Sequence, residues 1–203
     1  WMTGMEDLDL TVVPMQGWLR EMWYDQTGLP WIKPSPNIPS GLTAAVYPGT
    51  CLIEALNLSE GRGTMHPFEI FGAPWIDAHR WADIMNQAGL AGVWFKPRGF
   101  TPAAIPNADP RPKYQDERIR GLELAVTDRD ALRPVSVMVH LFTTLRKLHP
   151  EEMELRRNLE RLIGISSFRR DILEEKDPRA ILDEWETGLE EFRKQRRQYL
   201  LYK

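Results

Sequence analysis

The segment Asn57-Leu58-Ser59-Glu60-Gly61-Arg62-Gly63-Thr64 sets a carboxylate and a guanidinium close together, with glycines at 61 and 63. Glycine carries no side chain to hide either charge, and it allows positive φ and close approach of a ligand. Successive amides in such a loop can form a nest for an anion or a hydroxyl. Glu60 and Arg62 could therefore present an acid/base or hydrogen-bonding carboxylate beside a fixed cation. The same spacing also fits a polar turn between a helix and a strand, with both charges solvated.

Glu54 lies in an apolar run (Leu52-Ile53-Glu54-Ala55-Leu56), where a carboxylate is costly to bury without a partner. It faces either the cleft that Glu60 faces or the solvent edge of its helix. Paired carboxylates are the usual equipment for glycoside hydrolysis, one as acid and one as base or nucleophile. The histidines (His66, His79, His140 and His149) are scattered, with no HxxxH or HxH spacing and no Cys/His cluster, so no metal site is expected. His140 reads as a core or interface residue and His149 as a helix C-terminal residue. Cys51 sits in an apolar run and reads as a structural thiol; a single cysteine forms no intrachain disulfide. A Walker A loop, a GxGxxG after a strand and a GxSxG elbow are all missing, and no cofactor is expected.

These residues need a scaffold. Residues 8–14 (LDLTVVP) read as a short buried strand and residues 17–24 as one or two helical turns. Residues 28–40 hold four prolines and read as a rigid loop. Residues 43–56 have helical composition interrupted by Pro48-Gly49, which suggests two short helices, the second capped by Thr50. Residues 68–75 and 92–97 read as strands, as do the alternating residues 121–127. A helix is expected over 77–88, with Asp77 as N-cap and Trp81, Ile84, Met85 and Ala88 on one face. Another is expected over 134–148, a third over 151–162 with a turn at Gly164, and a long one over 178–199. The buried stripe of the last helix would be Ile181, Leu182, Trp185, Leu189 and Phe192, with Pro178 near its start. Alternation of strand and helix implies an α/β or α+β layered fold.

The 203 residues carry a formal net charge of -3, which argues against a strongly basic nucleic-acid binder. A hydrophobic fraction of 42% suffices for a core, and no apolar run is long enough to enter and span a membrane. Trp18, Trp23 and Trp31 lie near Pro30, Pro34, Pro36 and Pro39, a grouping that fits either packing or a sugar platform. The chain begins Trp1-Met2-Thr3-Gly4 without a signal pattern, so it is expected to start inside a longer protein, where a missing signal says nothing about localisation.

Several stretches together resemble one family. They are Pro34-Ser35-Pro36-Asn37-Ile38-Pro39, Val46-Tyr47-Pro48-Gly49-Thr50, Cys51-Leu52-Ile53-Glu54, the 57–64 loop, Pro67-Phe68-Glu69 and Gly72-Ala73-Pro74-Trp75. Val126-Thr127-Asp128-Arg129 and Tyr199-Leu200-Leu201-Tyr202 add to them. In this order they resemble the NamZ-type exo-β-N-acetylmuramidases, a bacterial glycoside hydrolase family, from about Asp9 to the C-terminus. The resemblance implies a protein roughly twice this size, with the active site between two domains. Residues 1–40 would end a Rossmann-like N-terminal domain. Residues 41–203 would be a mixed α+β C-terminal domain carrying the loop and a long C-terminal helix.

The resemblance also implies site residues. Glu60 and Glu54 would be catalytic or close to the reacting sugar. Arg62, Asn57, Asn37, Ser59 and Thr64 would bind substrate, with Arg62 on the lactyl carboxylate of the sugar or orienting Glu60. Glu54 and Asn57 would support the loop or bind the acetamido group. Where many relatives read Glu-Gly-Thr-Asn this chain has Glu54-Ala55-Leu56-Asn57; Met65 stands in place of a threonine and Ala125 in place of a histidine. The expected activity is release of terminal N-acetylmuramic acid from the non-reducing end of peptidoglycan fragments, outside the cell or in the periplasm. The alternatives are a module that binds muropeptides without cleaving them and a domain that stabilises a catalytic neighbour. Neither oligomeric state nor the stereochemistry of hydrolysis follows from the sequence.

Overall fold

A computed structural model describes residues 9–202. Its centre is a three-stranded antiparallel sheet of β1 (Ile70–Ala73), β2 (Val93–Phe100) and β3 (Ile119–Val126), in the order β1-β3-β2. The register pairs Phe71 with Leu122 and Phe95 with Leu124, so these four apolar residues share one face. Helices cover that face. They are α1 (Gly41–Thr50), α2 (Ala78–Gln87), α3 (Pro134–Leu148), α4 (Leu159–Ile163), α5 (Phe168–Leu173) and α6 (Pro178–Arg196). The result is the α+β fold expected, with its long C-terminal helix. The largest buried side chains, among them Trp81, Phe71, Phe95, Phe142 and Phe168, fill the space between helices and sheet.

Local chemistry explains most boundaries. Ser40 caps α1 by accepting from Thr43 N at 3.1 Å, and Asp77 caps α2 by accepting from Arg80 N at 3.1 Å. Pro134 and Pro178 sit in the first turns of α3 and α6, where a missing N–H costs nothing. Helix α1 continues through Pro48 to Thr50 and then tightens into a 3-10 turn over Cys51–Ala55. The Thr50 side chain does not cap this second piece; its hydroxyl donates back to Val46 O at 3.1 Å. Gly49 is where α1 meets α3, since a Cβ there would lie 2.0 Å from Pro134 O. His140 is buried in α3 and His149 follows its C-terminus, as expected.

Four further expectations are corrected. The strand over 8–14 falls partly outside the described residues, and 9–14 pair with no strand among the described residues; Leu10, Val12 and Val13 are exposed. A run of β-branched residues makes a strand only where a partner takes its N–H and C=O groups. Residues 17–23 form bends and turns, with a 3-10 helix only at Tyr24–Thr27. Most of 151–162 is irregular because its backbone is spent on residues 55–57: Leu56 and Leu155 form a bridge, and Asn57 N donates to Glu154 O at 3.3 Å. Finally, the apolar stripe of α6 is buried only at its start. Ile181 is buried and Leu182 and Trp185 pack on the core, but Leu189 and Phe192 are exposed.

The opposite face of the sheet carries a smaller cluster, Ile70, Phe100 and Ile119, with Tyr114 packed against it. Tyr114 belongs to the long connection between β2 and β3. That connection therefore folds back over the sheet and brings the neighbouring Lys113 towards the 57–64 loop.

Candidate active site

The 57–64 loop is joined to the edge of β1. Ser59 N donates to Gly72 O at 2.8 Å, and Gly72 N returns to Ser59 O at 3.0 Å. Phe68 N donates to Glu60 O at 2.7 Å, closing the loop from its far side. Two glycines make the path feasible. Gly61 has φ 78°, and a Cβ there would stand 2.4 Å from Ile70 O. Gly63 has φ 79°, and its Cβ would stand 2.5 Å from Ala103 O. No other residue type satisfies both the dihedral and the contact. Phe68 itself holds φ 65° with its ring buried, a conformation that costs energy in a non-glycine residue and is found where surroundings enforce it.

Glu60 is buried, with 3% of its surface exposed. Its Oε1 lies 3.6 Å from Arg62 Nε and its Oε2 lies 3.0 Å from Lys113 Nζ. The Lys113 contact is a charge pair rather than an aligned hydrogen bond, and Oε2 accepts no hydrogen bond. The ammonium points instead at four carbonyls: Leu58 O at 2.8 Å, Leu56 O at 2.9 Å, Glu54 O at 3.3 Å and Ile53 O at 3.4 Å. Three N–H groups shared among these carbonyls leave little for the carboxylate. Burial lowers the affinity of Lys113 for its proton, while Glu60 acts in the opposite direction.

Arg62 spends Nη2 on a short hydrogen bond to Glu54 Oε1, and its guanidinium lies over the Phe68 ring, 5.3 Å from the centroid. Its buried Nε makes no hydrogen bond. Glu54 and Arg62 remain 27% and 30% exposed at their side chains, so they form the open edge of a cluster whose floor is Glu60. Burial pushes the Glu54 carboxyl above its ordinary value; the Arg62 charge opposes that shift, and Glu60 adds to it. Two carboxylates and two cations are thus interlocked.

The remaining sequence-selected residues occupy the frame of the loop. Both ends of the Asn57 amide are taken by backbone: Nδ2 donates to Glu152 O at 2.8 Å and Oδ1 accepts from Glu154 N at 3.0 Å. Ser59 Oγ accepts from Gly61 N at 3.2 Å, and Thr64 Oγ1 donates to Gly61 O at 2.6 Å. Asn37 donates to Ala108 O at 3.1 Å, which ties the proline-rich loop to the β2–β3 connection. Sequence reasoning missed Lys113 and Tyr114, whose hydroxyl donates to Asn57 O at 2.6 Å. Nothing in their local sequence marks them, because their role depends on how the β2–β3 connection closes. Among the described residues no three His, Cys, Asp or Glu side chains converge as a metal site requires.

Comparison with known proteins bears on this geometry. The family model described as exo-beta-N-acetylmuramidase NamZ, C-terminal, matches residues 45–202, and its N-terminal counterpart matches residues 1–41. Over 198 residues the chain is 38% identical to the peptidoglycan beta-N-acetylmuramidase NamZ of Bacillus subtilis (strain 168), covering 97% of this chain and 46% of that protein. A crystal structure of a DUF1343 family protein from Bacteroides fragilis NCTC 9343 superposes with a TM-score of 0.82 at 27% identity, over 92% of this chain and 49% of that one. A second DUF1343 structure from the same organism gives 0.63 at 28% identity, over 85% and 44%. The chain spans about half the length of these relatives. With the C-terminal model covering most of its length, the chain belongs to the NamZ exo-β-N-acetylmuramidase family.

Proposed function

We propose that this chain forms part of an exo-acting glycoside hydrolase that releases terminal N-acetylmuramic acid from the non-reducing end of peptidoglycan fragments. The observation that carries the proposal is Glu60: a buried carboxylate held between two cations, Arg62 and Lys113, with the part-exposed Glu54–Arg62 pair beside it. The family membership and the B. subtilis relative's name supply the substrate class.

In this reading Glu60 faces the sugar and opposes positive charge developing at the anomeric carbon. Glu54, pushed up by burial, is the proton donor. Arg62 holds Glu54 through Nη2 and offers its remaining nitrogens to the lactyl carboxylate of muramic acid, for which a guanidinium fork is suited. Asn57, Ser59, Thr64 and Asn37 keep the loop in place beneath the substrate. Residues 1–40 close a Rossmann-like domain, residues 41–203 form the second domain, and the protein works outside the cytoplasmic membrane, where peptidoglycan lies.

The test is Glu60→Gln in a full-length protein carrying this sequence, assayed on a chromogenic muramic acid glycoside. The substitution keeps shape and removes charge, so turnover should fall about a hundredfold or more. Calorimetry on the same variant separates hydrolysis from mere binding: retained muropeptide binding with lost turnover supports catalysis. Near-normal turnover removes Glu60 from the reaction.

A further inference from the structure

A second groove, of about 890 Å³, opens at the far end of the sheet. Its floor is the end of β2 and β3, and its wall is the connection from β1 into α2, including Trp75, Asp77 and His79. Arg120 pairs across the sheet with Gly99 and with Ala73, so it projects from the helix-covered face beyond the point where the helices stop. Arg118, just before the start of β3, lies against Gly99 and lines the same groove. Both are exposed and line the groove. Among the described residues neither makes an ion pair or a side-chain hydrogen bond, whereas the nearby Arg98 is paired with Glu123 at 3.3 Å.

The groove carries little negative charge of its own. The one carboxylate lining the groove, Asp77, is occupied as the cap of α2, with Oδ1 accepting from Arg80 N. The start of α2 adds its own positive end to the same space. Arg118 is also held in place. A Cβ on Gly99 would lie 2.7 Å from Arg118 Nη2, so the guanidinium rests directly on the glycine backbone. Trp75, fixed edge-to-face against His149 at 5.2 Å, supplies a flat wall beside the charges.

We propose that this groove binds an oxyanion, the carboxylate or phosphate of a wall-polymer substituent, between Arg118 and Arg120. It is built on different elements from the Glu60 cluster, and the proposal holds whether or not the chain takes part in hydrolysis. In wall polymers the chemistry has two sources, a peptide terminal carboxylate and a phosphate ester.

The test is titration calorimetry at low ionic strength on the full-length protein. The probes are inorganic phosphate, acetyl-alanyl-alanine and the C-terminal amide of that dipeptide. Saturable binding of phosphate alone assigns the phosphate source. Binding of the acid but not the amide assigns the carboxylate. The Arg118→Gln/Arg120→Gln double variant should weaken the bound probe about tenfold or more, since two charge-assisted hydrogen bonds are lost. Gly99→Ala keeps both charges but displaces the Arg118 guanidinium, and should weaken binding by a smaller factor. Circular dichroism confirms that each variant is folded, and Arg118→Lys/Arg120→Lys, which restores charge without the fork, should recover part of the affinity. Equal affinity of wild type and the Gln double variant, or no saturable binding of either anion, overturns the proposal.

Discussion

Neither residues 57–64 nor residues 9–23 form helices or strands, yet they behave as different materials. Leu58, Ser59 and Glu60 are buried, and the loop's backbone bonds are taken by β1, Phe68 and Lys113. In 9–23 the apolar side chains of Leu10, Val12, Val13 and Met15 are exposed, Val13 at 86%. Its longest-range bonds run to the penultimate residue Tyr202, with Met15 N donating to its hydroxyl at 2.7 Å. The difference shows that irregular backbone is buried where a sheet edge and a packed connection take up its polar groups, and that apolar composition alone does not bury a segment. A site that must hold a carboxylate against two cations belongs on the first kind of loop.

Glycine separates the two regions most sharply. Gly61 and Gly17 both have positive φ, 78° and 72°. A Cβ at Gly61 meets Ile70 O, but one at Gly17 meets nothing within 4 Å. Gly61→Ala should therefore lose about 4 kcal/mol of stability in urea unfolding, combining dihedral strain with a backbone clash. Gly17→Ala should lose about 1 kcal/mol, the dihedral cost alone. Equal losses would dissolve the distinction.

Lys113→Met comes next. It leaves Glu60 without its nearer cation and four carbonyls without their donor, and should cost about 3 kcal/mol. Adding Glu60→Gln should recover part of that loss, because the uncompensated charge is removed. A loss that is not reduced in the double variant would show that Lys113 serves the carbonyls alone.

Glu54 gives a smaller and more specific readout. Its carboxyl should titrate above its ordinary value by carbon NMR, and Arg62→Gln should raise it further, because the guanidinium opposes the effect of burial. The sign for stability follows. A raised folded value means that ionisation costs more in the folded protein than in the unfolded chain. The contribution of Glu54 is therefore fully present below the ordinary value and is lost as pH rises through the raised one. A downward shift in Arg62→Gln would contradict the assigned pairing. The smallest effect belongs to the exposed segment, where Val13→Ser should change stability by less than about 0.5 kcal/mol.

Local signals in the sequence were reliable where the physics is local. Asp77, Pro134 and Pro178 mark helix starts because capping and N1 proline act within one turn. The closeness of Glu60 and Arg62 was legible because they lie two residues apart, whereas the bond from Arg62 to Glu54 was not, since Glu54 fitted a solvent edge equally well. Lys113 was not, since it reaches the loop across 55 residues and depends on Tyr114 packing against Ile70, Phe100 and Ile119. Residues 9–14 misled for the complementary reason: strand composition reports what a segment could pair with, and pairing itself is a long-range event. The end of α6 carries helical periodicity beyond the point where the core stops, so its stripe continues into solvent at Leu189 and Phe192.

The central claim is that the buried carboxylate on the 57–64 loop serves the reacting sugar, and turnover of a chromogenic muramic acid glycoside by full-length Glu60→Gln tests it most directly. The expected variant is folded, still binds muropeptide and has lost about a hundredfold or more in kcat/KM. A folded variant with near-normal kcat/KM would contradict it and return Glu60 to the frame of the loop.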